Sequence, residues 1–187
     1  MLNYYAANNG WLENCQKLVS PNCNERPLNT DISLLVVHNI SLPPGQFGTA
    51  FVEALFTNKL NVDDHPYFAE VAHLKVSAHL FINRRGEVLQ FVSFDQRAWH
   101  AGQSCFLDRE NCNDFSIGIE LEGTDTEPYT EKQYAALAQV TGLLMSLYPK
   151  ITLDRIVGHS DIAPTRKTDP GPAFDWVHFK DLLKPQA

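Results

Sequence analysis

The sequence predicts a mixed α and β (α+β) protein with one central mixed β-sheet flanked by helices. Three observations predict it. The apolar run Leu34-Leu35-Val36-Val37 has the composition of a buried strand. Strand-like and helix-like segments interleave along the chain instead of separating into blocks. At 187 residues, 44% hydrophobic and 20% charged, the chain is long and apolar enough to bury one sizeable core.

The elements follow in order. Residues 1–30 are polar and broken by Pro21 and Pro27. They read as an arm over the surface of one domain spanning 1–187. Ile32 to Ile40 is the buried strand, and Pro43-Pro44-Gly45 turns it into a loop. Phe51 to Phe56 is a short helix ending near Asn58. Ser77 to Asn83 and Glu87 to Ser93 form a hairpin through Arg84-Arg85-Gly86, where Gly86 suits a positive φ. Phe115 to Leu121 alternates apolar and small residues and is a further strand. The longest helix runs from Glu131 to about Tyr148. Thr130 caps it, Gln133 completes a capping box, and Pro149 stops it. Tyr134, Leu137, Thr141, Leu144 and Tyr148 recur at helical spacing. Arg155 to Gly158 is a short strand opening into a long loop, Ser160 to Pro172. Asp175 to Leu183 closes the chain as a helix with Trp176, Phe179 and Leu183 on one face.

Charge and composition exclude several functions. Lys plus Arg is 15 and Asp plus Glu is 22, a net charge of −7, so no nucleic-acid partner is expected. No apolar run approaches the roughly 20 residues of a membrane span, so no membrane insertion is expected. The segment 1–20 lacks a basic start, and Asn3, Asn8, Asn9, Glu13 and Asn14 interrupt it, unlike a secretory signal. A cytoplasmic location follows as the expectation. Cys15, Cys23, Cys105 and Cys112 then read as reduced thiols, and they lack the C-x-x-C spacing of a cysteine zinc site.

Seven histidines invite a metal search: His38, His65, His73, His79, His100, His159 and His178. No H-E-x-x-H and no i, i+4 pair on a helix sorts them, so a site would have to be assembled from distant segments. His38 ends the apolar strand, where a side chain is held rigidly yet meets solvent. His159 follows the short run Ile156-Val157-Gly158. Asp169 lies ten residues further, among Pro170, Gly171 and Pro172; on spacing alone it reads as a turn cap. Glu120 and Glu122 share one strand face. That face is either solvated or presents a carboxylate whose partly apolar surroundings raise its pKa toward a base's working range.

Four segments together resemble the AmpD-type amidases, zinc enzymes related to phage lysozyme-type amidases and peptidoglycan-recognition proteins. They are Leu34 to Gly45 (LLVVHNISLPPG), Arg97 to Gly102 (RAWHAG), Cys112 to Gly123 (CNDFSIGIELEG), and Gly158 to Pro164 with Lys167 to Pro172 (GHSDIAP, KTDPGP). The resemblance runs from about Trp11 to Phe179. It implies hydrolysis of the amide between the lactyl group of N-acetylmuramic acid, preferentially its 1,6-anhydro form, and L-alanine of the stem peptide. It further implies a role in cell-wall recycling that holds down β-lactamase induction. One Zn2+ per chain falls on His38, His159 and Asp169, which displaces the turn-cap reading. The catalytic roles fall on Glu120 and Lys167.

Zinc with three protein ligands leaves a fourth position for water or a carbonyl oxygen. One aspartate among the ligands lowers the formal charge of the unit, so a separate base is useful, and Glu120 takes that role. Lys167 supplies a positive charge for the oxyanion. Trp99 and His100 are expected to line the sugar pocket, and Asn39 to hydrogen-bond a substrate amide. Two positions depart from related enzymes: Asn111 and Lys75 stand where those carry arginine. Lys75 keeps a charge for a peptide carboxylate but loses the bidentate fork. The expected partner is a small muropeptide and the expected state a monomer. The alternatives are a non-catalytic module that binds peptidoglycan fragments and a phage-like amidase acting on intact wall. His65, His73, His79 and His178 have no assigned role.

Overall fold

The computed structural model describes residues 9–184; the first eight residues of the arm lie outside them. A six-stranded sheet runs through the molecule. Its strands are β1 (Gln16–Lys17), β3 (Leu34–Ile40), β4 (Leu80–Ile82), β5 (Val88–Gln90), β9 (Ser116–Glu122) and β10 (Ile156–Gly158), in the order β1-β5-β4-β9-β3-β10. Only the β4–β5 hairpin is antiparallel; the other four pairings are parallel. The sheet is therefore mixed, as the interleaved pattern predicts. The hairpin strands are shorter than the sequence suggests, and Gly86 takes a φ of 76° at their turn. Its added Cβ would sit 2.5 Å from the Lys132 carbonyl oxygen, so the position is closed to side chains on two counts.

The described part of the arm is woven into the fold. β1 pairs with the sheet edge, and β2 (Cys23–Glu25) pairs with β6 (Gln96–Ala98). Leu12 is wholly buried. Arg26 reaches inward and donates to the carbonyl oxygens of Phe94, Asn113, Asp114 and Ser116. Burial lowers its pKa to about 10, and the nearby charges of Tyr148, Asp95 and Asp114 oppose that shift.

Period-2 alternation splits the sheet into two faces. Leu35, Val37, Leu80, Ile82, Ile117, Ile119 and Leu121 point to one side. There they pack under α3 (Glu131–Leu147) and α5 (Trp176–Leu182) with Leu137, Val140, Leu144 and Phe179. The Thr130–Gln133 capping box starts α3 as its sequence predicts. The other face carries two apolar clusters. One packs under α1 (Phe51–Phe56) and α2 (Phe68–Val71) around Phe56, Phe68 and Phe81. The second joins Leu34 and Val36 to Cys112, Phe115 and Ile162. His38, Gly118 and Glu120 share that face with them. A two-stranded ribbon, β7 (Cys105–Phe106) with β8 (Arg109–Glu110), flanks the second cluster through Phe106. The segment after β10 differs from the expected plain loop. It starts with one helical turn, α4 (His159–Ile162), whose first backbone amides are taken up by local acceptors, Gly158 N–H by Asp161 and Ser160 N–H by the Asp169 carbonyl.

Candidate active site

Three parallel strands set the site. In the β3–β9 register His38 is the direct partner of Glu120, and Gly158 of β10 pairs with Val37. The two side chains of a pair lie side by side on one face, about 4.8 Å apart along the hydrogen-bonding direction. His159 leaves β10 one residue later. The reactive groups thus collect on one face of the sheet, in the carboxyl-terminal halves of β3 and β9 and just past the end of β10.

His38 Nδ1 lies 2.9 Å from His159 Nδ1, and each lies 3.1 Å from Asp169 Oδ2. Both imidazoles are buried and Asp169 is nearly so. His159 turns its other nitrogen, Nε2, onto the Ala101 carbonyl oxygen at 3.1 Å. A carbonyl oxygen only accepts, so the His159 proton sits on Nε2 and Nδ1 presents a lone pair. Burial lowers the His38 pKa to about 4, against the pull of Asp169, so His38 is neutral at pH 7. Three lone-pair donors therefore converge in a small triangle. Its edges approach the roughly 3.3 Å that tetrahedral bonds of about 2.0–2.1 Å demand. Two imidazoles and a carboxylate suit a divalent metal ion of the zinc type. This is a metal-compatible cluster of His38, His159 and Asp169.

Glu120 faces the triangle. Its Oε2 is buried and has no hydrogen-bond partner. Burial, then the Asp169 charge, raise its pKa well above the ordinary carboxylate value, with Lys167 opposing. Glu122, on the same face, is only 3% exposed and is spent on structure: it accepts the amides of Gly48 and Arg84 at 2.5 and 2.8 Å. The solvated reading of this strand face therefore fails for both glutamates. A cavity of about 240 Å³ opens here, with Glu120, Lys167 and Asp169 in its polar lining and Leu42, Tyr67 and Trp99 in its apolar lining.

The remaining predicted residues fall in different places. Trp99 lines the cavity and anchors its indole N–H on Asn24 at 2.8 Å. Asn39 borders the cavity, but both its amide hydrogens are engaged, with Asp125 Oδ1 at 2.9 Å and the Pro170 carbonyl at 3.1 Å. It braces the loop that carries Asp169, together with Tyr129, whose hydroxyl donates to the same carbonyl at 2.8 Å. His100 also borders the cavity, 9% exposed, yet both ring nitrogens are engaged, with His38 and with Ser116. Burial, then His38, hold its pKa well below the ordinary imidazole value, so it too is neutral. Lys75 is exposed, between the cavity-lining Leu74 and Val76. Asn111 sits elsewhere, lining a hollow of about 310 Å³ with Gln103, Thr165 and Arg166. His79 accepts the Gly118 amide under the sheet, and His178 contacts Glu131 on the surface. The sequence reading misses Ser116, Asp125, Tyr129 and Tyr67. Only Ser116 carried a signal, since alternation puts it on the Gly118–Glu120 face.

A family profile described as N-acetylmuramoyl-L-alanine amidase matches residues 28–172. The 1,6-anhydro-N-acetylmuramyl-L-alanine amidase AmpD of Enterobacter cloacae is 59% identical over 175 residues, covering 94% of this chain and 93% of that protein. The crystal structure of a selenomethionine derivative of AmpD superposes with a TM-score of 0.93 at 55% identity, over 96% of this chain and 100% of that one. AmpDh3 of Pseudomonas aeruginosa, in complex with an anhydromuramic pentapeptide, superposes at 0.64 with 28% identity, over 88% of this chain and 65% of that one.

Proposed function

The chain belongs to the N-acetylmuramoyl-L-alanine amidase family, and on that premise we propose that it hydrolyses the amide joining the lactyl group of 1,6-anhydro-N-acetylmuramic acid to L-alanine of a stem peptide. The observation that carries the reading is the convergence of His38, His159 and Asp169 beside the buried, unpartnered Glu120 Oε2. Zinc is the ion we assign to the three ligands; bound there, it supplies a Lewis acid for the scissile carbonyl and draws the pKa of water toward about 7.

The chain's own groups do the rest. Glu120 Oε2 takes a proton from the attacking water, and its raised proton affinity suits both that step and the later delivery of the proton to the leaving amine. The water oxygen bonds to the carbonyl carbon, the C–N bond breaks, and a lactyl carboxylate and a free α-amine result. Lys167 places its ammonium beside the developing oxyanion. Trp99 and Tyr67 offer aromatic faces to the sugar, and the apolar lining limits water at the reacting bond. Asn39 and His100 keep contact with the cavity, and Lys75 is assigned to the outer end of the peptide.

The chain forms one amidase domain with its arm, works as a monomer and acts in the cytoplasm on imported muropeptides. There it limits β-lactamase induction by clearing them. No helix among the described residues is long and apolar enough to cross a membrane, which fits a small free substrate.

The test is digestion of anhydro-muramyl tripeptide and its reducing-end counterpart, side by side, followed by mass spectrometry. Release of peptide from the anhydro form, lost on chelation and restored by zinc, supports the reading. Tight binding without release would point to a recognition module. Efficient solubilisation of whole sacculi would point to a wall-degrading amidase. Full activity after thorough metal removal would overturn the zinc assignment.

A further inference from the structure

Behind His38, three buried polar groups stand in line. His38 Nε2 lies 2.9 Å from His100 Nδ1, His100 Nε2 lies 3.0 Å from Ser116 Oγ, and Ser116 Oγ lies 2.6 Å from the Cys112 carbonyl oxygen. The carbonyl can only accept, so the Ser116 hydroxyl hydrogen points at Cys112. Ser116 Oγ then offers a lone pair to His100, whose one proton must sit on Nε2. That leaves His100 Nδ1 as an acceptor, and His38 Nε2 as the donor to it. The single proton of His38 is thus held on the far side of the ring, and its Nδ1 faces His159 and Asp169 bare.

We propose that His100, oriented by Ser116 and the Cys112 carbonyl, is a positioning residue that fixes the tautomer and ring direction of His38 for metal binding. The packing supports the same assignment. The His100 ring meets His38 edge-on, at 84° with centroids 4.9 Å apart. It lies directly over Gly118, where a Cβ would come within 2.5 Å of its Nδ1. The His100 and Ala101 amides both donate to Asn113 Oδ1, at 3.1 and 2.8 Å, which pins the backbone of the relay. Ala101 is also the residue whose carbonyl orients His159. One short segment, His100-Ala101, therefore sets both metal-facing imidazoles, and outer partners of this kind commonly govern 10–100-fold in metal affinity.

The inference rests on the assignment of His38 as a metal ligand, and the test separates the two. Zn2+ affinity is measured by competition with a chromophoric chelator for the full chain and for His100→Leu, His100→Gln and Ser116→Ala. Thermal melts of the metal-stripped proteins report folding. Wild type that binds no Zn2+ overturns the ligand assignment itself. Given wild-type binding, His100→Leu is expected to bind roughly 10–100-fold more weakly. His100→Gln, whose amide can accept from His38 and donate to Ser116, recovers most of that loss. Wild-type affinity in His100→Leu overturns the inference, as does an equal loss in the Gln variant, which would mean shape alone matters. Should His100→Leu lose its cooperative melt, Ser116→Ala decides: weakened Zn2+ binding supports the relay and unchanged binding refutes it.

Discussion

Gly118→Ala puts one methyl group where the structure leaves no room. The glycine lies in the centre of the sheet, paired with Val36 of β3, and exchanges hydrogen bonds with His79: its amide donates to Nδ1 and its carbonyl accepts from the His79 amide, both at 3.0 Å. The backbone is therefore fixed, and the His100 ring must yield. A Cβ at 118 would meet His100 Nδ1 at 2.5 Å and Cδ2 at 2.7 Å, while ordinary contact begins at 3.4 Å. The ring has to move by about 1 Å, which breaks hydrogen bonds of 2.9 and 3.0 Å to His38 and Ser116. Overpacking of this kind costs about 1–3 kcal/mol. Removing glycine's freedom in the unfolded chain returns about 0.4–1 kcal/mol. The net loss centres on about 1.3 kcal/mol, or roughly 3–5 °C in Tm for a chain of this size. Differential scanning calorimetry of the metal-stripped protein reads it, and Zn2+ affinity should fall in parallel. A Tm equal to or above wild type would show that the ring has room to spare.

Other predictions follow from the same geometry. Glu120→Gln should lower kcat by about 10²–10⁴-fold while Zn2+ still binds, as measured on anhydro-muramyl peptide. The same variant should melt higher than wild type at neutral pH. A carboxyl whose folded pKa is raised loses stability as pH climbs above its unfolded pKa, and Gln removes that penalty. The metal-free protein should weaken in acid for the opposite reason: unfolded His38 takes a proton below about pH 6.5 that the folded protein refuses until near pH 4. That is about 3 kcal/mol lost across the window, visible in urea melts and flattened in His38→Gln. Arg26→Ala should cost about 3 kcal/mol or more by chemical denaturation, because it strips the donor from four carbonyl oxygens at once. A loss of under 1 kcal/mol would mean that water replaces the guanidinium without strain.

Local structure was legible in the residues that form it. The capping box at Thr130, the glycine turn at 86 and the apolar run of β3 each depend on residues within a few positions, so their outcome is written where they stand. The motif segments around His38, Glu120, His159 and Asp169 carried the family, because they recur in order along most of the chain. Which atoms meet is settled by the folded chain. His38 and Glu120 are 82 positions apart and become neighbours through the β3–β9 register alone. Asn39, read from the sequence as a contact for a substrate amide, instead closes on Asp125 across 86 positions to brace the Asp169 loop. The direction of each imidazole proton is set by a group from another strand or loop, as Ala101 sets His159, Ser116 sets His100 and His100 sets His38. Hydrogen bonds are short-ranged and directional, so a residue's type states what it can donate or accept, and only the folded chain supplies its partner.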